Sequence, residues 1–318
     1  ANTVHNLRMA AELTAIGLAF NNAEIPVMCL KGLATAIEAY EGIQSRQFRD
    51  LDLLVPESNL VEAAGILRQL GYGQEGIPIV SLRPSKLDYL KRIKKELTFV
   101  KQDRRPVLVD LHWRLTEHTR SFSLTPEQLW DHPANFTLDG ARFHTMPPQE
   151  NIVFLAWHGG MHRWKRLSWL FDWHRVLESA PRLDWHRVSE LASRLGAQRF
   201  LDLGIRMLQR LDFPLPGEGG QEVFGSRTDR RGERTANLAM QAMLADESAH
   251  IEDTLYQLRW LLRMSTSWRP ITDTILRAVA PHAEDLAYPG PCAYAHRWWC
   301  LVRQSKNVVN TRLLRKTG

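Results

Sequence analysis

The feature that most constrains this chain is a change of texture at Pro147-Pro148. Before it, short apolar runs alternate with segments of helical periodicity, the pattern of an α/β unit. After it, the periodicity is almost wholly helical. A length of 318 residues accommodates two such units. The expected architecture is α+β: a small mixed-sheet domain over residues 1–146, then a mostly α-helical domain over 147–318. Within the second, the stretch 214–234 is rich in Gly and charge without periodicity, which predicts a mobile loop.

In the first half, Leu7, Ala10, Ala11, Ala15, Leu18 and Ala19 mark an amphipathic lead helix over about 4–22. Val27–Leu30 reads as a buried strand, and Lys31-Gly32 ends it before a helical pattern over 33–40. Arg49–Val55 alternates and then becomes fully apolar, as a strand entering the core does. A helix through Val61, Ala64, Leu67 and Leu70 follows it and stops at Gly71. Two further strands are expected at 96–101 and 107–113, and a hairpin about Asp139-Gly140. In the second half, helices are expected over 150–158, 167–178, 185–195, 197–211, 237–244 and 251–263.

Composition excludes several classes. Hydrophobic residues are 44% and charged residues 24%, so the chain buries a core and is not disordered. Three cysteines, Cys29, Cys292 and Cys300, are too few for a disulfide framework and form no CxxC. Cys29, in an apolar run, reads as a buried inert thiol. No apolar stretch is long enough to span a membrane, and Glu12 and Asn21-Asn22 interrupt any signal-like region. A reduced, cytoplasmic setting without membrane insertion is expected.

The residues best suited to chemistry are acidic. Asp50 and Asp52, two apart on a strand, project from one face. Two carboxylates so placed repel each other, and a divalent cation with a preference for hard oxygen ligands offsets that. Asp110 interrupts the apolar run Val107–Leu111, where an acid is costly unless paired or metal-bound. If its strand neighbours that of Asp50, three carboxylates converge on one edge of the sheet. Lys31-Gly32, at a strand-to-helix junction, favours phosphate, and Arg46 and Arg49 add cationic forks. His112 shares the face of Asp110, as a partner of the acids or as a core histidine. His158 and His162, at i and i+4, share a helix face; with Trp164 and Arg166 they either face a cleft or pack between helices. Asp172 reads as a partner for a nearby Arg or His.

The net charge of +6 is unevenly spread. Lys86, Lys91, Arg92, Lys94, Lys95, Lys101, Arg104 and Arg105 form one group. Arg297, Arg303, Lys306, Arg312, Arg315 and Lys316 form a basic C-terminal tail. They read as solvated faces or as a grip on an anionic acceptor.

The order of strand, Gly turn, helix, DxD strand and later Asp strand resembles the DNA polymerase β-type nucleotidyltransferase fold. Leu30-Lys31-Gly32, Arg46-x-x-Arg49-Asp50-Leu51-Asp52-Leu53-Leu54-Val55, Leu70-Gly71-Tyr72 and Val109–Arg114 resemble the bacterial uncharacterised nucleotidyltransferase family. His158-x3-His162-x-Trp164-x-Arg166-Leu167-x-Trp169-Leu170-x-Asp172 resembles that family's pattern too. Members often accompany peptide or polysaccharide biosynthesis genes. The superfamily's usual Gly-Ser turn is Lys31-Gly32 here, so a Ser hydroxyl contact to phosphate is absent.

The resemblance implies transfer of a nucleoside monophosphate from an NTP, ATP or GTP, to an acceptor hydroxyl or phosphate. It implies a two-metal mechanism with Mg²⁺, or Mn²⁺ in its place, on Asp50, Asp52 and Asp110, with Asp110 accepting the proton. Lys31, Gly32, Arg46, Arg49, His162, Trp164 and Arg166 are the implied nucleotide-binding residues. The acceptor is a peptide or small-molecule intermediate, or RNA. Two other readings stay open: a catalytically silent nucleotide- or peptide-binding protein, and a toxin-like enzyme modifying tRNA.

Overall fold

The computed structural model describes residues 2–40, 46, 49–76, 78–117, 122–180, 183–217, 220–224, 229–244, 254–265, 271–272 and 274–275. The basic tail from Arg297, Cys292 and Cys300 lie outside them. The first half holds α1 (Asn2–Asn22), β1 (Met28–Cys29), α2 (Leu33–Ala39), β2 (Asp50–Leu54), α3 (Leu60–Gln69), β3 (Gly73–Gln74), α4 (Pro84–Ile93), β4 (Glu96–Lys101), β5 (Val107–His112), α5 (Pro126–Asp131), β6 (Ala134–Leu138) and β7 (Ala141–Thr145). The second holds α6 (Pro148–Met161), α7 (Leu167–Glu178), α8 (Trp185–Arg194), α9 (Gln198–Arg210), α10 (Gly220–Phe224), α11 (Arg230–Leu244) and α12 (Thr254–Met264). The α+β architecture is the expected one.

The strands form one seven-stranded mixed sheet in the order β3-β4-β5-β2-β1-β7-β6. β2 runs parallel to β5, and β1 parallel to β7; the other neighbours are antiparallel. β2 is therefore the central strand. Alternation along β2 and β5 assigns each side chain to a face. Leu51, Leu53, Val109 and Leu111 face a core built with Met9, Leu13, Ile16 and Phe20 of α1 and Leu60, Ala64 and Leu67 of α3. On the other face, Met28, Leu30 and Leu54 join a core with Ile152, Val153, Trp157, Trp173 and Phe200. That second core takes residues from both sides of Pro147-Pro148, so the helical half packs directly on the sheet.

Three elements of the first half carry little periodic signal. β3 is two residues long, and its pairing with β4 alone makes it a strand. α4 buries only Leu90 and is otherwise mostly polar, with Pro84 in its first turn. α5 is six residues with a capping box between Thr125 and Gln128. The expected loop over 214–234 is corrected where it is described, because Gly220–Phe224 and Arg230–Leu244 are helical. Charge rather than apolar spacing starts α11. The Asp229 carboxylate accepts from the backbone N–H groups of Arg231 and Gly232, and Glu233 pairs with Arg206 and Arg210 of α9. Among the described residues no helix is long and apolar enough to cross a membrane.

The turn between α6 and α7 sets the second face. Arg163 and Trp164 both take left-handed backbone, φ 60° and 50°, a conformation that costs an L-residue energy and persists only when its surroundings impose it. The imposing contact is the Trp164 ring, 1% exposed and packed against Trp173. Gly159 lies directly beneath it, and a Cβ at that position would run into the ring. Gly159→Ala is expected to lower stability by roughly 1–3 kcal/mol through overpacking. Urea unfolding at neutral pH checks this; an unchanged midpoint contradicts it.

Candidate active site

Parallel pairing of β2 with β5 places the Cα of Asp52 opposite that of Asp110, and antiparallel pairing of β4 with β5 places Thr98 opposite Asp110 and Glu96 opposite His112. All these side chains lie on the face that looks toward α6 and α7. The expected neighbour relation of the two acidic strands holds. Its position is corrected: the acids stand at the centre of the sheet, not at an edge, because β4 and β3 extend the sheet beyond β5.

The cleft above them is about 860 Å³ and is lined by Lys31, Gly32, Arg49, Asp50, Asp52, Lys95, Glu96 and Asp110 on the sheet side. His158, His162, Lys165, Arg166, Trp169 and Asp172 line its helical side. Sequence reasoning missed Lys95, Glu96 and Trp169 as cleft residues. For Glu96 the signal was present, since it opens a strand expected from its pattern; only the register with β5 adds it to the acidic row.

Asp52 is buried and well supplied with donors. Its Oδ1 accepts from Lys31 Nζ at 2.9 Å and lies 3.1 Å from His112 Nε2. Burial would raise its pKa, but Lys31 and His112 hold it well below the usual carboxylate range. Burial likewise disfavours the Lys31 ammonium, yet Asp52, Glu96 and Asp50 together raise it. His112 Nε2 also lies 3.1 Å from Glu96 Oε2, and Lys95 pairs with the same carboxylate. Burial would raise Glu96, but His112 and Lys95 beside it bring it below the ordinary value.

Asp50 and Asp110 are the under-compensated pair. Burial, and then the Asp52 charge, raise Asp50. Burial raises Asp110 too; the Thr98 hydroxyl, donating at 2.7 Å, opposes this, while Glu96 and Asp52 add to it. Crowded hard oxygen donors, raised despite the Lys31 and Arg46 charges near Asp50, suit a divalent cation such as Mg²⁺. Among the described residues no three His, Cys, Asp or Glu side chains already surround one point. Asp52 Oδ1 is engaged by Lys31 and His112, and Asp110 Oδ1 by Thr98. The donor set fits the ion in its chemistry, with one oxygen of Asp52 taken by an internal cation.

The cationic residues divide. Gly32 has φ 52° and ψ −114°, a conformation open to glycine and strained for other residues. Its carbonyl accepts from Arg46 Nη1 at 2.9 Å. Arg46 is otherwise committed to Asp172, with Nε and Nη2 each 2.8 Å from a carboxylate oxygen. The Tyr40 hydroxyl donates to that carboxylate at 2.6 Å, and Asn6 Nδ2 donates to the Arg46 carbonyl at 2.7 Å. Arg46, expected on phosphate, is thus a strut joining α1, the Gly32 turn, α2 and α7. Asp172 pairs with an Arg, as expected. Arg49 is exposed in the cleft.

On the helical wall, His158 and His162 stack edge to face, 4.8 Å between ring centroids, and each lies 5.5 Å from the Trp169 ring. Burial, then the Lys31 charge, keep His158 neutral; burial and Lys165 bring His162 down to about 4. Arg166 lies over the other ring of this group, its guanidinium 5.3 Å from the Trp169 centroid. Trp164 packs in the core at 1% exposure and also borders the cleft, where Trp169 is the more open indole.

The Arg46–Asp172 pair is mostly shielded, at 14% and 11% side-chain exposure. Asp172→Asn leaves the guanidinium without its charge partner and is expected to cost on the order of 3 kcal/mol. Thermal and urea unfolding check it; wild-type stability contradicts the strut.

No curated protein matches the chain. Among solved structures, it is similar to an antigenic nucleotidyltransferase-like protein from Paracoccidioides brasiliensis, at 9% identity over 69% of this chain and 97% of that one, with a TM-score of 0.37. A tRNA-processing enzyme in an apo form is similar at 14% identity over 83% of this chain and 76% of that one, TM-score 0.24. A family model described as "Uncharacterised nucleotidyltransferase" matches residues 1–211, which include every residue of the cleft named above. The chain belongs to the uncharacterised nucleotidyltransferase family.

Proposed function

We propose that the chain transfers a nucleoside monophosphate from an NTP, ATP or GTP, to an acceptor hydroxyl or phosphate, with a divalent cation on Asp50, Asp52 and Asp110. The observation that carries this reading is the register of β2 with β5, which sets Asp52 beside Asp110 and Asp50 two residues along the same face. Those acids share one cleft with Lys31, Lys95 and Arg49. A row of acids within a cationic rim suits a substrate that is itself a polyanion carrying a metal.

In the proposed reaction an acceptor oxygen attacks the α-phosphorus. The bond from that phosphorus to the α,β-bridging oxygen breaks, and pyrophosphate leaves. Lys31, Lys95 and Arg49 bind the phosphate oxygens and offset the charge that shifts onto pyrophosphate. Asp110, whose pKa lies above the ordinary carboxylate value, accepts the proton of an acceptor hydroxyl. Arg46 and Asp172 hold the Gly32 turn and the α7 wall in place. His158, His162, Arg166 and Trp169 offer neutral and cationic planar groups to the rest of the nucleotide or the acceptor. A divalent ion, Mg²⁺ or Mn²⁺, would screen the triphosphate and acidify the acceptor hydroxyl.

A peptide or small molecule is the acceptor we favour. At least half of the basic group over 86–105 is engaged within the chain: Lys91 pairs with Glu57, Lys101 with Glu12, and Lys95 with Glu96. The Arg92 guanidinium donates to the Asp88 carbonyl. Cations so engaged make a poor continuous track for a nucleic-acid backbone.

Asp50→Asn and Asp52→Asn are each expected to lower pyrophosphate release from NTP and Mg²⁺ by on the order of 10³-fold or more, with the fold intact by circular dichroism. Full activity in either variant overturns the assignment.

A further inference from the structure

We propose that Lys31 is a resident counter-ion that closes Asp52 to divalent metal until an incoming triphosphate draws the ammonium away. This rests on the reading of Asp50, Asp52 and Asp110 as the metal-holding acids, and it adds an order to their loading.

The argument is geometric. Lys31 Nζ is 2.9 Å from Asp52 Oδ1, and His112 Nε2 reaches the same oxygen from the other side at 3.1 Å. That oxygen therefore carries two donors, in the position where a metal would need a lone pair. Lys31 is set apart from the other cations of the cleft by its place in the chain. It directly precedes Gly32, between β1 and α2, and its side chain keeps 20% exposure to the cleft. A four-carbon stem with a compact ammonium can swing from a carboxylate to a phosphate, whereas the bidentate Arg46–Asp172 pair is fixed. His112, 1% exposed and held between Asp52 and Glu96, has no such freedom.

Lys31 neutralises one unit of charge at Asp52; a divalent ion would take over that duty when Lys31 transfers to the triphosphate, whose added negative charge accommodates both cations. Metal and ammonium thus compete for Asp52 in the absence of nucleotide. In its presence they act together, because the phosphates provide the ammonium with a second anionic partner. The two ligands are linked through a single side chain.

Mn²⁺ titration of the full chain, followed by electron paramagnetic resonance without nucleotide, tests this together with calorimetric binding of a non-hydrolysable NTP analogue without metal. Lys31→Met and Lys31→Gln are expected to bind Mn²⁺ at least about 10-fold more tightly than wild type, from loss of a unit charge next to the ligand. The same variants are expected to bind the metal-free analogue at least about 10-fold more weakly, and Lys31→Arg to stay near wild type in both. A merely structural role for Lys31 would weaken both ligands, and that result overturns the proposal. Equal Mn²⁺ affinity in wild type and variants also overturns it, while leaving the metal assignment standing. Absence of Mn²⁺ binding in all of them overturns both.

Discussion

The register between two parallel strands governs this molecule. Once β2 lies beside β5 with Asp52 opposite Asp110, like charges meet on the face of a sheet, an arrangement that destabilises a bare strand pair. Everything near that row can be understood as compensation: Lys31 and His112 on Asp52, Lys95 and His112 on Glu96, Thr98 on Asp110. At Asp50 and Asp110 the compensation is outweighed by burial and by the neighbouring acids, and their carboxyls are pushed upward. Acids raised in this way and grouped in a cleft are candidates for function rather than for stability.

The second requirement is a wall opposite the acids. The helical half provides it by packing on the sheet through a shared apolar core, with Met28, Leu30 and Leu54 joined to residues of α6, α7 and α9. Arg46 adds a polar tie, because one guanidinium touches both the Gly32 carbonyl and the Asp172 carboxylate. The cleft is therefore defined twice, by burial and by a buried ion pair, which limits relative motion of its two sides. The turn at Arg163-Trp164 completes the wall: it packs the Trp164 indole into the core at the border of the cleft, beside His162, Arg166 and Trp169.

How much of this was legible in the sequence depends on the range of the interaction involved. Asp50 and Asp52 were visible as a pair because alternation along one strand is a local rule. Asp110 stood out by interrupting an apolar run, and its neighbour relation needed only adjacency of two strands. Glu96 was invisible as a member of the acidic row because register across β4 and β5 is set by the whole sheet. Arg46 looked like a phosphate ligand beside Arg49; only tertiary packing, which brings Asp172 from 126 positions away, shows it committed elsewhere. Trp164 and Trp169 share helical texture and composition, and the left-handed backbone that separates core from cleft leaves no periodic trace. Only the first turns of α11, ahead of the helix expected over 237–244, are hidden for a related reason, since a capping aspartate and two arginine pairs start it rather than an apolar stripe.

The central claim concerns which phosphate bond breaks. Incubation of the full chain with Mg²⁺ and acceptor-containing extract, with NTP labelled in parallel at the α and γ positions, tests it most directly. The account predicts that α label enters a product larger than the nucleotide while γ label leaves as pyrophosphate. Appearance of γ label on the acceptor, or as free orthophosphate with the diphosphate retained, would contradict nucleotidyl transfer at this cleft.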